Sequence, residues 1–222
     1  MNYLAHGWRF AEQPYFLAGT AVPDWLSVID RKMRARGKKA ALFVDDPDEN
    51  LAALARGLVQ HHRDDEWFHQ TTAFNELILA FTLQIRDVLP ADDSFRPSFL
   101  GHILVELLLD ATLTEEEPAR LDRYYAALSQ ADPAFLQSAI NRLSTKQSDK
   151  VAYLVTRFLQ ERFLYDYAED GKLLDRLNHV MRRVGLPQLP GDLQMLFPAM
   201  RQAVRNRRHE LLPSDSYEEI PR

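Results

Sequence analysis

Seven histidines and no cysteines define the side-chain chemistry open to this chain. Five of those histidines (His6, His61, His62, His69 and His102) fall in the first 102 residues, with carboxylates beside them at helical spacing. His61, Asp65 and His69 are separated by four and four, so on a continuous helix they project from one face. His102, Glu106 and Asp110 repeat the spacing among Phe99, Leu100, Ile103, Leu104, Leu107, Leu108 and Leu109. A helix apolar nearly all round should be buried. Buried carboxylates are costly unless paired or bound to a cation. Glu106 and Asp110 therefore call for either a metal ion or a buried Arg or Lys. Taken alone, His61–Asp65–His69 also fits a solvated face. Both sets together, in a chain without cysteine, point to a His/carboxylate metal site. Imidazole suits Zn, Fe and Ni, and carboxylates suit Mg and Mn. Asp24 follows Pro23 in an expected first helical turn, either as a further ligand or as a macrodipole cap. His6 is a catalytic candidate or an ordinary structural histidine.

The elements that must position these residues read as helices. Pro23, Pro47, Pro97, Pro118 and Pro133 each precede a stretch of period 3.6. Asp46-Pro47 and Asp132-Pro133 look like an N-cap followed by a first helical residue. Gly37 and Gly185 each follow a basic turn, as a C′ glycine does. The expected helices are 23–36, 47–66, 72–88, 97–113, 118–130, 133–144, 148–168, 171–184 and 192–211. Ala41 to Val44 is a weak strand candidate. The fold class is all-α: a helical bundle of eight or nine helices, one domain over 1–212 and a polar tail over 213–222.

Composition narrows the function classes. The 222 residues are 46% hydrophobic and 27% charged, an ordinary globular balance. Net charge is 27 − 32 = −5, which argues against coating nucleic acid. No signal peptide is visible in MNYLAHGWRF, and His102, Glu106 and Asp110 interrupt the most apolar window, Phe99 to Leu113. The expected location is the cytoplasm, with no membrane partner. Without cysteine there is no disulfide scaffold, thiolate zinc site or thiol nucleophile.

Four motifs in order resemble the acyl carrier protein phosphodiesterases. MNYLAH at Met1–His6 is similar to their opening, and GTAVPDWL at Gly19–Leu26 to their second motif. GLVQHHRDDEWFHQ at Gly57–Gln70 resembles the third, and LVELLLDATL at Leu104–Leu113 the fourth. The second half, including Phe158–Gly185, is similar in length and texture. The resemblance implies an all-helical fold related to HD-domain phosphohydrolases. It also implies a divalent metal, Mn²⁺ first with Mg, Fe or Zn as alternatives. The implied reaction is hydrolysis of the phosphodiester joining 4′-phosphopantetheine to a serine of acyl carrier protein. Function is carried to Asp24, His61, Asp65 and Asp110, with His6 and Glu106 as further site residues. The chain departs from the pattern in four places. His62 replaces an Arg, His69 an Asp, Glu106 an Asp and Ala111 a His.

The reading that follows is metal-assisted phosphoester hydrolysis, with Asp24, His61, Asp65, Glu106 and Asp110 around the metal. His6, Asp65 and His69 are the catalytic candidates, and His102 is an alternative proton donor. Acyl carrier protein or a small phosphoester is the expected substrate. The rival is a helical interaction protein that kept the fold and lost hydrolysis, which Ala111 favours. Two basic runs bear on partners: Arg31, Lys32, Arg34, Arg36, Lys38 and Lys39, and Arg201, Arg205, Arg207 and Arg208. Each fits a solvated helix end or a docking patch for an acidic protein.

Overall fold

A computed structural model describes residues 1–90 and 93–213, with only the backbone of Asp93. Apart from Pro213, the tail expected over 213–222 lies outside the described residues. The elements in order are α1 (Tyr3–Gly7), α2 (Pro14–Ile29), α3 (Gly37–Ala40), α4 (Glu49–Phe68), α5 (Thr72–Val88) and α6 (Pro97–Glu116). They continue with α7 (Pro118–Leu128), α8 (Pro133–Leu143), α9 (Val151–Glu161), α10 (Asp170–Val184), α11 (Phe197–Asn206) and α12 (Arg208–Leu211). Short 3-10 turns stand between several of them. Among the described residues the class is all-α, with one isolated antiparallel bridge between Ala35 and Ser144.

The structure departs from the sequence expectation at several points, among them the helices expected over 148–168 and 192–211, which run over Val151–Glu161 and, in two pieces, over Phe197–Asn206 and Arg208–Leu211. Pro23 does not start a helix; it sits inside α2. Having no N–H, it leaves the Gly19 carbonyl without its intrahelical donor. Asp24 is consequently mid-helix, and the capping explanation for it falls away. Gly37 opens α3 instead of closing a preceding helix, and Ala41–Phe43 is a 3-10 turn rather than a strand. The cap of α4 is Asp48, whose Oδ1 accepts from the backbone N–H groups of Asn50 and Leu51 at 3.0 and 3.2 Å. Asp46 instead accepts from Asp48 N–H. The Asp132 cap is as expected, accepting from Ala134 and Phe135. So is Gly185, which ends α10 at φ 76°.

The chain forms two compact units: residues 1–66 with 118–163, and residues 67–117 with 164–213. In the first, α2 packs on α1, α7 and α9. Its core includes Leu4, Leu17, Trp25, Leu54, Leu58, Tyr124, Ile140 and Phe158, all nearly sealed from solvent. Gly19 of α2 and Gly57 of α4 meet where the two backbones cross. A Cβ on Gly19 would lie 2.2 Å from the Leu54 carbonyl oxygen, and one on Gly57 2.0 Å from that of Phe16. Only glycine at both positions permits this approach. One turn beyond the crossing lie His61 on α4 and Asp24 on α2.

In the second unit α5 pairs with α6, and α11 packs on both. Thr71 caps α5, accepting from Phe74 N–H. Among the described residues α6 alone is long and apolar enough to cross a membrane, but 67% of its apolar window is buried inside the protein. It serves as a core helix, with Leu100, Leu104 and Leu108 sealed.

Candidate functional site

Two groups of metal-capable side chains form, one in each unit. In the first, single ligand atoms of His6, His61 and Asp65 all lie within 4.8 Å of one another. The i, i+4 spacing on α4 places His61 Nε2 3.4 Å from Asp65 Oδ2. α1 brings His6 over them, its Nε2 3.2 Å from Asp65 Oδ1 and its ring stacked on His61 at 4.0 Å. The Met1 amino group also donates to Asp65 Oδ1, at 2.8 Å. Both histidines are buried, so the solvated-face reading of His61 is overturned.

The protons in this group can be assigned. His61 Nδ1 stands 2.7 Å from the Thr20 carbonyl oxygen. A carbonyl can only accept, so Nδ1 carries the hydrogen and neutral His61 presents a lone pair at Nε2. Burial, and then the neighbouring His6 charge, push the His61 pKa down. Asp65 moves the opposite way. Burial opposes its ionisation, yet contacts from His6 and His61 hold its carboxyl far below the usual range. The lone pair of His61 Nε2 thus faces an ionised oxygen, an arrangement that asks for a cation between them.

The compensating proton belongs on His6. Burial lowers its pKa, but hydrogen bonds to Asp64 and Asp65 outweigh this and raise it to about 9. Its Nδ1 donates to Asp64 Oδ2 at 3.4 Å, and Gln60 Nε2 fixes the other oxygen of Asp64 at 2.7 Å. Asp64 and Gln60 escaped the sequence reading, although they form an i, i+4 pair one residue ahead of His61–Asp65. Asp24 is not one of the three converging ligands, but it is close enough for His6, His61 and Asp65 to act on its charge. Its Oδ2 is sealed from solvent and accepts no hydrogen bond among the described residues. Burial raises its pKa, while His61 and His6 act on it in the opposite direction. An orphaned carboxylate oxygen, a lone pair on His61 and an ionised Asp65 together fit a divalent cation.

The second group is His69, His102 and Glu106. His69 is not on the α4 face with His61 and Asp65, because α4 ends at Phe68 and His69 enters a turn. Its Nε2 lies 3.1 Å from Glu106 Oε1, and His102 Nε2 lies 3.2 Å from the same oxygen. Although burial works against ionisation, hydrogen bonds from His102 and His69 help hold Glu106 well below the usual carboxylate range. Asp110 is buried one turn further along α6, outside this triad.

The departures and basic runs also find places. His62 Nε2 donates to the Ala35 carbonyl at 2.8 Å, tying the first basic stretch to α4. In that stretch Arg31, Lys32, Arg34, Arg36 and Lys38 are exposed. The second run is neutralised within its own unit: Arg201 on Asp170, Arg205 on Glu115, Arg207 on Glu76 and Glu210, and Arg208 on Glu116. Its docking reading falls away. No family model matches the chain, and neither a curated protein nor a solved structure does.

Proposed function

We propose that the protein is a metal-dependent phosphoester hydrolase, with a cation held by His61, Asp65 and Asp24. The observation that carries this reading is the lone pair of His61 Nε2 3.4 Å from the ionised Asp65 carboxylate. Thr20 sets the tautomer that exposes that lone pair, as outer-shell carbonyls commonly do for metal-binding imidazoles. When bound, a divalent ion such as Mn²⁺ (Mg, Fe or Zn would also suit) neutralises phosphoryl charge and acidifies water.

The remaining roles belong to the chain. His6 holds a proton at Nε2 near neutral pH, and Asp64, braced by Gln60, fixes the ring from the other side. Hydrolysis adds a water oxygen to phosphorus and breaks the bond to the leaving alkoxide. That alkoxide takes the proton from His6, the attacking water releases one proton to solvent, and one proton from solvent restores His6. The motifs point to holo acyl carrier protein as substrate. The exposed basic stretch held by His62 supports an acidic protein partner, since charge of one sign steers association.

The test is incubation with holo acyl carrier protein and Mn²⁺, followed by mass analysis of the carrier, with bis-p-nitrophenyl phosphate in parallel. Loss of the phosphopantetheine mass is the expected result. Turnover of the small diester alone would assign a different phosphoester substrate. Inactivity on both with Mn²⁺, Mg²⁺, Fe²⁺ and Zn²⁺ would overturn hydrolysis and favour a helical interaction protein.

A further inference from the structure

His69, His102 and Glu106 form a cluster that the hydrolase reading does not use. The site is built from rigid parts. His102 and Glu106 are one turn apart on α6, so the helix fixes their separation. His69 sits in a turn closed by Gln70 N–H on the Trp67 carbonyl and Thr71 N–H on that of Phe68. Asn75 Nδ2 braces the His69 carbonyl at 3.0 Å. The buried Phe74 ring lies against both imidazoles, with centroids 4.9 Å from His69 and 5.1 Å from His102. Both Nε2 atoms converge on the single oxygen Glu106 Oε1, at 3.1 and 3.2 Å.

We infer that this cluster is a second metal site, taking a borderline divalent transition ion of the Zn²⁺ or Co²⁺ kind. Bonds of about 2.0–2.1 Å in a tetrahedral site place ligand atoms about 3.4 Å apart. Both imidazole–carboxylate separations are within a few tenths of an ångström of that spacing, and all three donor atoms lie within 4.8 Å of one another. Two imidazole nitrogens and one carboxylate oxygen make a donor set suited to such ions. The side chains of His69 and His102 are 34% and 40% exposed, which leaves one face open. Three protein ligands with an open position is the arrangement of a zinc site that binds water or a small anion, not of a closed structural one. The inference is independent of the His61 centre, since none of its ligands is shared.

The absence of cysteine from the chain supplies a clean reporter. In H102C, kept reduced, the only thiol of the protein stands at the site. Co²⁺ added to this variant is expected to produce a thiolate-to-cobalt charge-transfer band that saturates at one equivalent and is displaced by Zn²⁺. In H102C combined with H69A the cobalt affinity should fall by more than the 10–100-fold typical of losing an outer-shell partner. No band, or a band of undiminished affinity without His69, would overturn the proposal. Equilibrium dialysis provides a second readout with the native donor set. Wild type should hold one more equivalent of Zn²⁺ than H69A, and equal stoichiometry would also overturn the proposal. Loss of the His61 centre leaves both differences intact, so failure of one reading is distinguishable from failure of the other.

Discussion

The two triads each combine two histidines with one carboxylate and use the same i, i+4 helical step, yet their surroundings differ. In the first, His6 and His61 are sealed, and Thr20, Asp64 and Gln60 fix tautomer and charge. In the second, two partly exposed imidazoles share one glutamate oxygen, and an aromatic ring orients them. Different partners separate proton affinities that would be equal in water: hydrogen bonds to Asp64 and Asp65 overcome burial at His6, whereas burial prevails at His61. His6 is pushed up to about 9 and its stacked neighbour His61 is pushed down. A pair of titratable groups driven apart in this way is what a site needs to hold a lone pair and a proton side by side. The second triad has access to solvent instead, which suits exchangeable binding of an ion.

The largest expected effect comes from the crossing that supports only the first triad. Gly57→Ala places a Cβ 2.0 Å from the Phe16 carbonyl oxygen, and a backbone atom cannot rotate away. The cost should be about 4 kcal/mol, above the usual range for overpacking. A thermal melt should show the midpoint lowered by about 10 °C. An unchanged melt would mean that α2 and α4 do not cross as closely as described.

Asp65→Asn is next. It removes a carboxylate from a buried imidazolium, at a cost of about 3 kcal/mol in metal-free protein. It should also abolish the rise in melting temperature that Mn²⁺ gives wild type. By contrast, His102→Ala breaks a half-exposed pair and should shift metal-free stability by less than about 1 kcal/mol. Equal losses in the two variants would erase the distinction between the triads.

A third effect is pH dependence. His6 binds its proton more tightly folded than at its ordinary value of 6.5, so its contribution is complete below about pH 6.5. That contribution is lost as pH rises through about 9. His61 has a depressed folded pKa, so its contribution is present above 6.5 and is lost on acidification. Metal-free protein should therefore be most stable near pH 6.5, which melts between pH 5 and 9.5 would show. His6→Gln should flatten the alkaline side. The smallest effect is expected for His62→Ala, about 1 kcal/mol for one hydrogen bond, with faster proteolysis across residues 31–39.

Much of this organisation is legible in the sequence where the signal is local. α5 begins and ends where its periodicity does, and Asp132 and Gly185 act as the caps that their residue types suggest. The pairs His61–Asp65 and His102–Glu106 are readable because a single helix carries both members. Pro23 misleads because a proline within a helix looks like one at its start until the preceding residues are placed. The third members, His6 and His69, are not legible as partners. His6 reaches its site through the packing of α1 on α2, and His69 reaches Glu106 because α4 stops one residue before it. The Gly19–Gly57 contact is likewise invisible along the chain, since nothing local marks two glycines 38 positions apart as neighbours.

The proposed chemistry is hydrolysis of phosphodiesters at a cation held by His61, Asp65 and Asp24. Its most direct test is turnover of bis-p-nitrophenyl phosphate by wild type, His61→Ala and Asp65→Asn. Each would be stripped with EDTA, assayed, reloaded with Mn²⁺ and assayed again, with circular dichroism verifying the helical fold. Wild type should be inactive when stripped and regain activity with Mn²⁺, whereas both variants should stay at least about 100-fold below it. Metal-independent turnover by wild type, or Mn²⁺-restored activity in either variant at the wild-type level, would contradict the account.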